Sequence, residues 1–165
     1  MTGEPFCRDC PDHEACSQGA PCAYVKQVAA QRRRPSWDDW GLELAKAVAL
    51  RADCSRRQIG AVLMRPDHTI VSTGYNGAAP GARGCLAGGC PRALSGVEHG
   101  SSYDTGPGAC IALHAEQNAL LRATWDEMEG STLYVTDTPC GGCDRMIQGT
   151  HIARVVWPTG SWSRA

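Results

Sequence analysis

The most pointed chemistry in this chain lies in two short stretches, His114-Ala115-Glu116 and Pro139-Cys140-Gly141-Gly142-Cys143. One imidazole and two thiolates give three protein ligands for zinc, the number a catalytic site uses while its fourth tetrahedral position stays open to water. A structural zinc would take four. Glu116 stands two residues beyond His114, close enough to exchange a proton with water at the metal and displaced from the ligand direction. It is the candidate proton shuttle. Each half alone is weak, because His-x-Glu is a common surface pair on helices and a lone Cys-x2-Cys is as often a structural clamp. The reading rests on the two halves together, in this order.

Such ligands need rigid elements behind them. Both stretches open a segment of helical period, Ile111 to Ala123 and Cys140 to Gln148, which places His114, Cys140 and Cys143 at helix N-termini, where the dipole and free N–H groups favour thiolate. Pro139 suits a helix entry. Upstream, Ser36-Trp37-Asp38-Asp39 reads as an N-cap with an acidic first turn to a helix over about 36–52. Ile59 to Met64 and Ile70 to Thr73, joined through Pro66-Asp67-His68, read as a hairpin, and Thr132 to Thr136 and Ala153 to Trp157 as further strands. Strands alternating with helices predict an α/β sheet covered by helices. The stretch from Gly74 to about Ala109, rich in Gly and Pro, is too long for a passive connection.

With 165 residues, 42% of them hydrophobic, the chain can bury one main core. Sixteen basic against 17 acidic side chains leave a net charge of −1, which excludes a strongly basic nucleic-acid coat. The first thirty residues hold no apolar signal core and no run of about 18 apolar residues occurs, so a cytoplasmic, membrane-free location is expected. In a reducing compartment, ten cysteines point to metal ligands or catalytic groups. In an oxidising one they could form five bridges. Cys54, Cys85, Cys90 and Cys110 fall after the first helix, in the long loop and before the His114 helix, and are expected to gather around a second, structural zinc. Plain buried thiols are the alternative. Residues 1–35 lack hydrophobic period and carry Cys7, Cys10, Cys16 and Cys22, a four-thiolate pattern in a segment too small to fold by burial. Zinc is the expected metal there, an iron–sulfur cluster the alternative, with His13 a stand-in ligand or a turn residue and Arg32 to Arg34 a basic tag or a solvated triplet. The expected division is thus a Cys-rich segment over 1–35 and the main domain over 36–165.

The paired motifs resemble those of the zinc nucleobase deaminases. Cys54-Ser55-Arg56-Arg57-Gln58-Ile59-Gly60-Ala61 and Gly74-Tyr75-Asn76-Gly77-Ala78-Ala79-Pro80-Gly81 narrow the resemblance to the deoxycytidylate (dCMP) deaminase family, over about 37–158. That resemblance implies a three-layer α/β/α cytidine-deaminase-like fold with a mixed sheet, hydrolysis of dCMP to dUMP and ammonia for thymidylate synthesis, and a homo-oligomer, often a hexamer. It implies Asn76 on the deoxyribose, Arg56 on the 5′-phosphate with Arg57 as the alternative, and Ala115 against the substrate. It also implies a structural zinc in which His99 could replace a cysteine, and effector control by dCTP and dTTP, with Mg²⁺, at a loop containing Gly74, Gly77 and Gly81. Tyr75, Tyr134 and Trp157 are candidate walls for the pyrimidine, or simply core. The rival readings are a deaminase of 5-modified dCMP, a tRNA or single-stranded DNA deaminase, disfavoured by the balanced charge, and a zinc-stabilised binding module.

Overall fold

A computed structural model describes residues 26–27, 29–30, 33–98, 101, 103 and 108–164. The chain divides into two compact units at Pro35 and Ser36, and the one that begins at Ser36 contains all the elements below. Cys7, Cys10, Cys16, Cys22, His13, Arg32 and His99 lie outside the described residues.

Helix α1 (Trp37–Ala49) starts where its sequence signals place it. Ser36 caps it, its Oγ accepting from the Asp39 N–H at 3.1 Å, and Asp38 and Asp39 occupy the first turn. Strands β1 (Gly60–Met64) and β2 (Ile70–Tyr75) form the expected hairpin, longer by two residues at its end. The central sheet runs β2-β1-β5-β6-β7, with β5 at Thr132–Val135, β6 at Arg154–Trp157 and β7 at Gly160–Ser163. It is mixed: β5 and β6 are parallel and the other neighbours antiparallel.

Every residue of β1 is buried, which explains its unbroken apolar run. Val62 and Met64 point to α1, packing with Ala45, Tyr134 and Val156. Ala61 and Leu63 point the other way, to a core completed by Ala115, Ala119, Leu133, Ile147 and Val155. That second layer is supplied by α3 (Ala115–Leu120) and α5 (Gly141–Gln148), so helices cover both faces and the three-layer expectation holds. Two glycines set the spacing between layers. A Cβ on Gly60 would lie 2.1 Å from the Ala45 carbonyl oxygen of α1, and one on Gly74 would lie 2.0 Å from the Ala115 carbonyl oxygen of α3.

Several elements differ from their sequence expectations. Helical structure was expected from Ile111, but Ala112–Leu113 is strand β4, paired with β3 (Gly77–Ala78), and α3 begins only after His114. Short apolar runs carry no period that separates the two choices. The long loop contains a four-residue helix α2 (Pro91–Leu94), and α4 (Trp125–Met128) and β7 have no counterpart in the periodicity. Asp53 anchors the start of that loop: its carboxylate accepts from the Cys85 and Leu86 N–H groups, both at 3.0 Å.

Candidate metal centre and its cleft

His114 and Cys140 are the N-cap residues of α3 and α5, each with extended backbone, and Cys143 lies in the first turn of α5. The two caps hold their side chains forward of the helices. The Gln117 side chain accepts from the His114 N–H at 2.8 Å, and the Cys140 carbonyl accepts from the Asp144 N–H at 2.8 Å. The result is a triangle: His114 Nδ1 is 3.5 Å from Cys140 Sγ and 3.4 Å from Cys143 Sγ. Among the described residues it is the one group of three or more candidate ligands whose donor atoms lie within 4.8 Å of one another.

Zinc fits this donor set. With bonds of about 2.3 Å to sulfur and 2.0–2.1 Å to nitrogen, two vertices of a tetrahedron stand about 3.5 Å apart, the separation seen here. Burial, then the neighbouring Glu116 and Cys140, push the Cys143 thiol up, so that sulfur needs a cation to stay deprotonated. Glu116 is 4% exposed. Its burial raises its pKa above the ordinary carboxylate range, against the lowering influence of its own N–H, His114 and a hydrogen bond with Cys143.

An open cleft leads to this triangle, lined by Arg56, Asn76, Ala115, Glu116 and Thr138 among others. Asn76 is buried and committed to backbone: its Oδ1 accepts from the Ile59 N–H at 2.8 Å and its Nδ2 donates to the Arg57 carbonyl at 2.9 Å. Arg57 is ion-paired with Asp137, whereas no ion pair engages Arg56 among the described residues. The two adjacent arginines therefore differ in what they can offer a ligand.

The remaining predicted residues divide. Cys54, Cys85, Cys90 and Cys110 all line the same cleft, as their placement in sequence anticipates. Cys90 is near enough to Cys85 and Cys110 for the thiols to influence one another electrostatically, but the four do not close into a group as tight as the His114 triangle. Gly74 is accounted for by the close approach of α3. Gly81, at φ +83°, has open space around it, and a Cβ on Gly77 would meet the Asp53 side chain at 3.4 Å. The suggested aromatic walls are not walls: Tyr134 is buried beneath α1 with its hydroxyl donating to Asp38 at 3.2 Å, and Trp157 and Tyr75 lie off the cleft. Strand context put Tyr134 in the core and Trp157 against it, and left Tyr75 half-buried at the end of β2. Tyr103 lines the cleft instead, its ring edge-on to His114 at 5.7 Å, with Arg92 beside it. No periodicity marks either residue, since both lie in the Gly- and Pro-rich stretch.

A family model described as the cytidine and deoxycytidylate deaminase zinc-binding region matches residues 35–159. A deoxycytidylate deaminase of Mycobacterium phage D29 is 47% identical over 129 residues, covering 78% of this chain and 98% of the phage protein. One from Schizosaccharomyces pombe is 41% identical over 129 residues, again 78% of this chain but only 38% of the yeast protein. Among solved structures, the dCMP deaminase of cyanophage S-TIM5 in complex with dCMP and dUMP superposes with a TM-score of 0.52 at 24% identity, over 76% of this chain and 83% of that one. This last likeness establishes the shared fold.

Proposed function

The chain belongs to the cytidine and deoxycytidylate deaminase family, and from that membership we propose that it hydrolyses dCMP to dUMP and ammonia. The observation that carries the proposal is the His114, Cys140, Cys143 triangle with Glu116 buried beside it, in a chain 47% identical to a protein named deoxycytidylate deaminase. His114, Cys140 and Cys143 would hold zinc, which supplies a nucleophile from water near neutral pH. Glu116 manages the protons. It takes one from the attacking water and gives it to ring N3, and a second passes to the departing amine, so that oxygen replaces nitrogen at C4 and ammonia leaves. Its raised pKa suits a group that must both accept and return a proton.

Recognition of the rest of the substrate is assigned by what each residue has left to give. With Arg57 engaged by Asp137, Arg56 is the group for the 5′-phosphate, which its planar fork can bind in bidentate fashion. Asn76 uses one Nδ2 hydrogen to hold Arg57, and the other serves the deoxyribose. Ala115, fully buried at the cleft, gives the base a surface without bulk. Cys54, Cys85, Cys90 and Cys110 hold a second, structural zinc, and the N-terminal cysteines a third metal. A homo-oligomer of hexameric type, and control by dCTP and dTTP with Mg²⁺ through the loop carrying Gly77 and Gly81, complete the reading. Replacement of Glu116 by Gln tests the core of it: ammonia release is lost while zinc content is kept. Undiminished ammonia release by that variant would sink the mechanism.

A further inference from the structure

A planar base in a cleft is normally held by a ring or apolar face as well as by polar groups at its edge. Among the described side chains lining this cleft, Tyr103 is the one aromatic that is not a candidate metal ligand. Its ring stands nearly perpendicular to that of His114, at an interplanar angle of 83° and a centroid separation of 5.7 Å, so it borders the imidazole of the metal triangle.

Tyr103 is held there by a costly device. Arg92, on α2, is only 3% exposed, and its guanidinium lies 4.3 Å from the Tyr103 ring centroid. The same guanidinium donates to the Gly108 carbonyl at 3.2 Å, the Glu98 carbonyl at 3.3 Å, and the Ser101 carbonyl and hydroxyl at 3.0 and 2.7 Å. A buried cation surrounded by carbonyl oxygens is expensive unless every donor is used. Here those donors draw together the chain on both sides of Tyr103. The Tyr103 carbonyl in turn accepts from the Cys110 N–H at 2.7 Å, which ties it to the strand leading to His114.

We propose that Tyr103 is the aromatic wall of the base pocket, stacking on the pyrimidine with the ring face that Arg92 leaves open, and that Arg92 is the positioning residue that sets this ring. The inference rests on the reading of the substrate as a pyrimidine nucleotide. It makes the long loop a determinant of substrate binding.

The test is calorimetric binding of dUMP to the zinc-loaded full chain, alongside steady-state kinetics with dCMP and metal analysis. Tyr103→Leu and Tyr103→Met are both expected to weaken dUMP binding and raise the KM for dCMP by about tenfold, within the range for loss of one base–aromatic stack. kcat changes less, and zinc content stays at the wild-type value. Tyr103→Phe, which keeps the ring, recovers most of the affinity. Arg92→Lys, which loses the fork, raises KM in the wild-type background and adds little in the Tyr103→Leu background, because it acts through the ring. Binding of dUMP by both apolar variants as tightly as by wild type would overturn the wall. So would a Phe variant as impaired as the Leu one. A wild-type protein that neither binds dUMP nor deaminates dCMP would overturn the substrate reading, whatever the variants do.

Discussion

In the proposed reaction Glu116 moves the protons and Arg56 binds the phosphate, and each role is exposed to one decisive substitution. Glu116 is a carboxyl in a buried site, its pKa raised mainly by desolvation. An amide of the same shape keeps the packing and loses the proton. Glu116→Gln is expected to lower kcat about 10²- to 10⁴-fold, the range for general acid–base catalysis, with zinc content by metal analysis unchanged. Arg56→Gln is expected to raise the KM for dCMP about tenfold or more, the loss of a charge-assisted contact to phosphate being worth over about 1.4 kcal/mol. The parallel Arg57→Gln change raises it less, because Arg57 already serves Asp137. An equal effect of the two substitutions in steady-state kinetics would reverse the assignment.

The elements deliver these residues by close packing of helices onto the sheet. Gly74 of β2 lets the backbone of α3 approach until no Cβ can intervene, and α3 carries Glu116 in its first turn directly after His114. Gly74→Ala is therefore expected to destabilise the fold by about 1–3 kcal/mol or more and to reduce deamination by displacing α3. Thermal melts and kinetics check both. On the opposite face, Asp38 of α1 accepts from Arg154 of β6 at 2.8 Å and from the Tyr134 hydroxyl. The Arg154 hydrogen bond chiefly holds the Asp38 carboxyl below its usual value. Its folded pKa lies below the unfolded one, so its contribution is present above about pH 4. It is lost as pH falls through the folded value. The stability gap between wild type and Asp38→Asn, about 1 kcal/mol because the pair is partly solvated, is expected at pH 6 and shrinks as pH falls through the folded value.

Much of this level was legible in the sequence. The capping residue Ser36 marked α1, Pro139 and a helical period marked α5, and the apolar run from Ile59 to Met64 marked β1. Ile111 to Leu113 misled because a short apolar run beside a helix reads as its first turn, and only tertiary pairing of Ala112 with Ala78 makes it strand. The ligands His114, Cys140 and Cys143 were legible because metal chemistry restricts residue type and spacing. Tyr103 and Arg92 were not, since their roles come from a loop whose path no local rule dictates.

For the molecule as a whole, a net charge of −1 supplies no overall attraction for a polyanion, which agrees with the proposal that the phosphate of a free nucleotide is met locally, by Arg56. Among the described residues no helix is long and apolar enough to cross a membrane. The ten cysteines divide by position into a pair at the His114 triangle, four along the cleft and four in the N-terminal segment. Metal analysis of the purified chain is expected to return three equivalents, and chelation to lower the melting temperature because metal binding is coupled to folding. One equivalent would leave only the His114 site. The central claim is tested most directly by ammonia release from the zinc-loaded protein offered dCMP, CMP, dCTP, deoxycytidine and 5-methyl-dCMP. The account predicts turnover of dCMP, with deoxycytidine a far poorer substrate for want of the phosphate that Arg56 binds. Ammonia from deoxycytidine alone, or from none of the five, would contradict it.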